Sequence, residues 1–407
     1  MLAPAPHSAF TACLNEVLRI KAPTIRHLPQ AVRVRWTEAF TREVHFFNLR
    51  PNLIALTRIL FFPKATLAGL SRGGRKKKAH VATVISERLS EWEAGNLDSL
   101  WQQTLQRASV KPAQSPNIDP ASQWKKQVLT CLQEGAVSKA AKYLQATGIH
   151  KAEPMILDKL RELHPQSPLP APVFADLPPS TTITCSADEV RQAILSFPAG
   201  SAPGLSQLRP SHLKEGLGCG NSMVQEAFLE ASMEFVRIGL SGALPCECAQ
   251  GLLAANLIPF KKPRDPLGVR PIAVGETLRR LIAKVALAQA LPKARGFLSP
   301  LQCGVGVPDS VNSIVLGVSR ATQLMEENPS LRLIQIDMRN AFNSLRRESI
   351  LVYLGSHLPS LLPWATATPV NFTGNNTYTF INYWNSARRS SWTASIRLRY
   401  SADPGVP

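Results

Sequence analysis

The sequence predicts an α+β protein, and three observations predict it. Helical hydrophobic stripes fill residues 25–164, a proline-dense stretch follows at 165–184, and beyond it helical stripes alternate with apolar runs of strand length. With 407 residues, 44% of them hydrophobic, the chain is long enough for two or three domains with ordinary cores. The expected organisation is a mostly helical basic leader over 1–164, a linker over 165–184, a mixed region over 185–364 and a tail of different composition over 365–407.

In the leader, Ile85, Leu89 and Trp92 form one stripe at helical spacing, Leu97, Leu100, Trp101 and Leu105 a second, and Trp124, Val128, Cys131 and Leu132 a third. Between helices lies SRGGRKKKAH, where Arg72, Arg75, Lys76, Lys77 and Lys78 cluster around two glycines. Such a run suits nucleic-acid phosphate contact or nuclear import, and a solvated loop with surplus charge is the plainer reading. Pro165, Pro168, Pro170, Pro172, Pro178 and Pro179 then give an extended, semi-rigid connection.

Ser186, with Glu189 three residues later, reads as a capping box that opens a helix through Leu195. The loop PAGSAPG follows, and Val224, Phe228, Ala231, Phe235 and Ile238 mark the next helical face. LLAANLIPFKKPRDPLGVRPIAV holds two short apolar runs around a basic turn, the pattern of a β-hairpin with a charged tip. Leu278, Leu281, Ile282, Val285 and Ala288 give another helix, and the glycine-rich QCGVGVPDSVNS turns helical at about Ser310. LRLIQIDMRNAF, Leu331 to Phe342, then reads as a buried strand delivering one carboxylate, Asp337. Residues 365–407 contain no Lys, no Glu, a single Asp (Asp403) and three of the five tyrosines, so that segment is expected to be poorly ordered. A foreign or out-of-frame tail and a polar loop region both fit its composition.

Lys+Arg exceed Asp+Glu by 46 to 28, a formal charge of +18, which favours a polyanionic partner. No apolar run reaches the roughly 18 residues that span a bilayer, and MLAPAPHSAF lacks the basic start and apolar core of a secretory signal. An intracellular protein, nuclear or cytoplasmic, with no membrane partner is expected. The seven scattered cysteines include no C-x-x-C pair, so reduced thiols are expected.

Asp337 admits two readings. A carboxylate at the end of a buried strand is paired, bound to metal or capping the next helix, because an isolated buried charge is costly. A short apolar strand ending in such a carboxylate is also the shape of the first catalytic strand of nucleic-acid polymerases. These enzymes hold two divalent ions that clamp the attacking and leaving oxygens of an in-line phosphoryl transfer.

Four segments in order give the second reading its context: AGSAPGLSQLRPSHLK at Ala199 to Lys214, NLIPFKKPRDPLGVRPI at Asn256 to Ile272, LQCGVGVPDSVNS at Leu301 to Ser313, and IQIDMRNAFNSL around Asp337. In this order and spacing the chain resembles the reverse transcriptases of non-LTR (LINE-like) retrotransposons. Ser206 departs from that family's pattern, standing where an acidic residue or glycine is usual. The resemblance implies the fingers and a partial palm of a right-hand polymerase over 185–364, and RNA-directed DNA synthesis as the activity of the intact parent. It implies that Asp337 is a metal ligand for Mg2+ or Mn2+ and that Phe342, five residues on, is the gate that excludes a 2′ hydroxyl. Lys261, Lys262 and Arg270 would meet the triphosphate of a deoxynucleoside triphosphate, with an exposed basic hairpin as the plainer reading. Gly304 and Gly306 would let the backbone approach the template, or serve as simple turn glycines. The implied partners are an RNA template and a DNA primer. An RNA-dependent RNA polymerase is disfavoured, since the Phe342 ring would exclude ribonucleotides.

The family's Q-G loop and [FY]-x-D-D hairpin, which supplies the remaining metal carboxylates, have no counterpart in the sequence. The nearest match, Arg399-Tyr400-Ser401-Ala402-Asp403, carries one Asp and no flanking apolar strand. The expectation is therefore a chain in which the palm is interrupted after Trp364 and polymerase activity is absent. A non-catalytic basic protein that binds nucleic acid is the alternative.

Overall fold

The computed structural model describes residues 13–70, 75–109, 120–133, 148–163 apart from 152, 183–298 apart from 263 and 264, 309–328, 330–338 and 347–367, with single residues and short pairs elsewhere. Among them the protein is mostly helical with a small two-stranded antiparallel sheet. The leader contributes α1 Leu14–Arg19, α2 Arg33–Leu49, α3 Leu53–Leu67, α4 Arg75–Glu93, α5 Leu97–Ser109, α6 Pro120–Gln133 and α7 Pro154–Glu162. Then come α8 Ala187–Leu195, α9 Pro210–Leu217, α10 Ser222–Leu240, α11 Cys246–Leu253, the hairpin β1 Ala255–Lys262 and β2 Asp265–Gly275, α12 Thr277–Leu298, α13 Ser310–Glu327, α14 Arg347–His357 and α15 Leu362–Ala367.

Helix α3 is the centre of the core. Its sequence, LIALTRILFFPKATL, is apolar nearly all round, which is what a helix enclosed by others requires, and every residue from Ala55 to Leu67 is buried. Asn52 starts it, its side chain accepting from the Ala55 amide at 2.9 Å. Aromatic rings fill the spaces around it: Trp36 of α2 stacks on Phe40 at 5.3 Å, Phe62 meets Trp92 of α4 edge-on at 4.9 Å, and Phe61 meets Trp101 of α5 at 5.4 Å. Phe47 packs on Phe235 of α10 at 5.3 Å. The apolar core runs without a break from Leu14 through Trp101 and on from Ile183 to Ala286, so the elements before and after the proline-dense stretch share one interior.

Two charges in that interior neutralise each other. Arg58 of α3 donates through Nε and a terminal nitrogen to the Glu43 carboxylate of α2, both at 2.7 Å, and Trp92 Nε1 donates to the same carboxylate at 2.8 Å. The planar fork and the indole satisfy the buried ion pair, which would otherwise be a liability.

Several sequence expectations hold. The Ser186–Glu189 capping box forms and α8 ends at Leu195; Val224, Phe228, Ala231 and Phe235 face the core from α10; the hairpin forms and α13 begins at Ser310. Ile85, Leu89, Trp92, Leu97, Leu100, Trp101 and Cys131 are buried, while Leu132 turns outward. In α12, Ala286 and Ala290 take the buried positions and Ala288 is exposed.

Two expectations are corrected. Arg75, Lys76, Lys77 and Lys78 form the first turn of α4 rather than a loop, in keeping with the high helix propensity of Arg and Lys. Residues 331–338 are irregular and exposed throughout instead of a buried strand, with Ile334 and Ile336 each 79% exposed. A strand exists only with a ladder partner for its backbone groups, and among the described residues none pairs with this segment. Helix α13 before it likewise buries no residue. Among the described residues the α+β expectation is met in its coarse form, as helices with a small antiparallel sheet. The 165–182 stretch and nearly all of the tail beyond Ala367 lie outside the described residues. Among those residues no helix is long and apolar enough to cross a membrane.

His212 of α9 lies fully buried against Trp36, and its Nε2 donates to the Ile25 carbonyl at 2.8 Å. Burial, assisted by the charges of Arg209 and His27, pushes the imidazole down to about 3. The unfolded chain therefore takes up a proton near the ordinary histidine pKa that the native state refuses, so the contribution of this site to stability is complete at neutral pH and is lost as pH falls from about 6.5 toward 3. The size is on the order of 5 kcal/mol across that interval. Urea unfolding between pH 7 and pH 4 is expected to show a steeper loss for the native chain than for His212→Gln; parallel curves would contradict it.

Candidate nucleic-acid interface

The hairpin follows from its sequence. ANLIPFKK and DPLGVRPIAVG alternate apolar residues, and a bulge at Lys261/Lys262 absorbs the turn. Gly268 is required there, because a Cβ at that position would overlap the Asp265 carboxylate, whose oxygen accepts from the Leu267 amide at 3.2 Å.

The register sorts the basic residues. Leu257 and Val269 share one face and pack against Ile156 and Leu160 of α7. Phe260, Arg270 and Ile272 alternate to the opposite face. Lys261, paired with Val269, takes the side of Val269, and Lys262, paired with Asp265, lies beyond the register shift. All three cations are exposed. The resemblance groups Lys261, Lys262 and Arg270 together; the pleat places Lys261 and Arg270 on opposite faces of the hairpin.

The leader holds this hairpin from behind. The His150 amide donates to the Pro259 carbonyl at 2.9 Å and the Lys261 amide to the Gly148 carbonyl at 3.0 Å, a short antiparallel bridge on the β1 edge. The buried His150 side chain donates through Nε2 to the Gly268 carbonyl at 2.9 Å, and Lys159 Nζ donates to the Leu267 carbonyl at 2.8 Å. Nothing in the spacing of His150 marks this role.

A second assembly joins the loop 199–209 to the end of the hairpin. Glu276, fully buried just after β2, accepts from the Ser206 amide at 2.7 Å and from the Ser206 hydroxyl at 2.6 Å. Thr277 donates its hydroxyl to the Leu208 carbonyl at 2.6 Å. Gly204 has no room for a side chain, since a Cβ would lie 2.6 Å from the Glu276 Cα. Lys64, fully buried in α3, donates to the carbonyls of Val17 and Ile20. Burial pushes its ammonium down to about 7 against the attraction of Glu276. Burial likewise pushes the Glu276 carboxyl up, opposed by the two Ser206 hydrogen bonds and by the charges of Lys64 and Arg280. Ser206, where the sequence departs from the pattern it resembles, is thus the donor to this carboxyl group. Reading from the residues missed Glu276 and Lys64; a lone lysine inside the apolar run of α3 is the signal that would have found the second.

Loop 196–202 is ringed by cations. Lys214 donates to the carbonyls of Leu195 and Phe197 at 2.8 and 2.7 Å, capping α8. Lys284 donates to the Ser196 hydroxyl at 2.9 Å, and Arg280 and Lys284 lie over the Phe197 ring at 5.6 and 5.0 Å.

Asp337 sits exposed in the irregular 331–338 segment. Among the described residues no group of three or more His, Cys, Asp or Glu side chains is placed to hold a metal ion. The described residues by themselves therefore do not make up a two-ion centre. Phe342, Gly304, Gly306 and Arg72 lie outside the described residues, and Arg75, Lys76, Lys77 and Lys78 are placed by backbone alone, at the start of α4. Comparison with protein families, with curated proteins and with solved structures finds no match.

Removing the Ser206 hydroxyl leaves one oxygen of a buried carboxylate without its donor, a loss of about 1–3 kcal/mol. Urea unfolding of Ser206→Ala is expected to show that loss, and Ser206→Asp, which sets a like charge against Glu276, a larger one; an unchanged midpoint for both would mean that the Ser206–Glu276 contact adds nothing to stability.

Proposed function

We propose that the chain is a reverse-transcriptase-type protein of a non-LTR (LINE-like) retrotransposon, carrying the fingers and first palm motif of an enzyme of RNA-directed DNA synthesis, and that this 407-residue polypeptide binds nucleic acid without extending a primer. The observation that carries the proposal is the hairpin. The segment that resembles the triphosphate-binding part of the fingers folds as an antiparallel pair and leaves Lys261, Lys262 and Arg270 exposed. Arg offers a fixed fork for phosphate oxygens and Lys a mobile point charge, the pair of donors that phosphate recognition uses.

The absence of extension follows from charge accounting. Two divalent ions need several carboxylates converging on one point, because the developing charge of the transferring phosphoryl group is stabilised only through them. After Asp337 the sequence holds only Glu348 and Asp403 as further acids, neither in an [FY]-x-D-D setting. In an intact parent, the resemblance implies Asp337 as a ligand of Mg2+ or Mn2+ and the hairpin cations as partners of the deoxynucleoside triphosphate. A non-catalytic basic binding protein is the second reading, favoured by the exposure of Asp337 away from other carboxylates among the described residues.

Primer extension on an RNA template with magnesium or manganese is expected to give no product for the native chain or for Asp337→Ala; product from the native chain alone would overturn the inactive reading. RNA binding is expected to weaken steeply with salt, and Lys262→Ala with Arg270→Ala to flatten the slope of log K against log salt by about one to two. Binding that ignores salt would count against both readings.

A further inference from the structure

We infer that the exposed ring cluster Tyr353–His357–Phe297, at the junction of α12 and α14, is a stacking platform for the bases of single-stranded nucleic acid. It rests on the nucleic-acid-binding reading above and adds a surface to it that lies outside the hairpin.

Tyr353 and His357 are one helical turn apart on α14, and their rings stack at 4.1 Å between centroids and 17° between planes. The His357 Nδ1 donates to the Tyr353 carbonyl at 3.1 Å, which fixes the imidazole over the phenol. Phe297, near the end of α12, closes the group from the side, 5.0 Å from His357 and 5.9 Å from Tyr353. Leu351 and Leu358 anchor α14 by burial, at 4% and 8% exposure, and leave Tyr353 45% exposed on the outer side. A ring serving only to glue two helices would be enclosed between them. This one is held rigid by its neighbours while nearly half of it faces water, as a surface that offers a π-face must be.

The charge around it selects the partner. Helix α12 carries Arg279, Arg280, Lys284, Lys293 and Arg295 and no acidic residue in its 22 positions. Lys293 lies one turn before Phe297 on the same helical face, and Lys293 and Arg295 are exposed. Rings interleaved with cations, on a chain of formal charge +18, fit a strand whose bases stack while its phosphates meet the lysine and arginine side chains. A duplex, with its bases already stacked, cannot use the platform.

The test uses the full chain and fluorescent oligonucleotides of about sixteen nucleotides, the upper end of a single-strand site, as RNA, as DNA and as duplex. Tyr353→Ala is expected to weaken binding to both single strands about tenfold with an unchanged salt slope, and to leave duplex binding as it was. Tyr353→Trp is expected to retain or tighten single-strand binding, and Lys293→Gln to flatten the salt slope instead. Irradiation of the native chain with a 5-iodouridine-substituted RNA, expected to attach at Tyr353 or His357, keeps the test independent of how the variants fold. Equal binding by Tyr353→Ala and the native chain, equal losses on duplex and single strand, adducts found only elsewhere, or a change in sedimentation that reveals a protein contact at Tyr353 would each overturn the platform while leaving the general reading in place. A native chain that binds no nucleic acid at all would overturn both.

Discussion

Two buried ionisable side chains, Lys64 and Glu276, each held by hydrogen bonds of its own, are the constraint on which the rest of this structure depends. Each charge alone would be costly in an interior so densely filled with rings, and each is satisfied by groups from a different part of the chain. Lys64 ties α3 to the backbone at the end of α1, and Glu276 ties the end of the hairpin to Ser206. Loop 199–209, the hairpin and the leader are thereby tied together through hydrogen bonds to two buried ionisable groups. The hairpin does not swing on a free hinge; its C-terminal end is fixed at Glu276 and Thr277, and its outer strand is held by His150 and Lys159.

The same logic explains which parts of the fold are legible in the sequence. Helices with local signals can be read: the Ser186–Glu189 box, the α10 stripe and the alternation that makes β1 and β2 depend on residues a few positions apart. The parts that resist reading depend on distant partners. Ser206 looks like a mere departure from a family pattern until Glu276, seventy positions later, is found against it. His150 carries no pattern of its own, and its value lies in a carbonyl 118 residues away. The glycines of the basic run at Arg75 suggest a loop, although the adjoining lysines are good helix formers and win over the next turn.

The Asp337 segment shows the limit from the other side. Its sequence has every local property of a buried strand, namely β-branched residues, an apolar run and a terminal carboxylate. Being a strand is nevertheless a property of a pair, and among the described residues LRLIQIDM has no second member. Local propensity set the candidate, and tertiary context withheld the ladder. The candidate site divides in the same way. Lys261 and Arg270 are identifiable as cations near a turn, but that they lie on opposite faces is a matter of the pleat.

The clasp of residues 148–163 on the back of the hairpin bears on how this chain can be cut and recombined. A boundary drawn through the proline-dense stretch looks like the natural seam between the leader and the mixed region. Yet a piece beginning at 185 would lack the edge strand, the imidazole and the two aliphatic side chains that back β1 and β2, and would expose Leu257 and Val269 to water. The leader is in this sense an internal chaperone of the basic arm. Variation in α7 and variation in the hairpin are bound to accompany each other in any lineage that keeps both, and a chimera that exchanges one without the other inherits a mismatched interface.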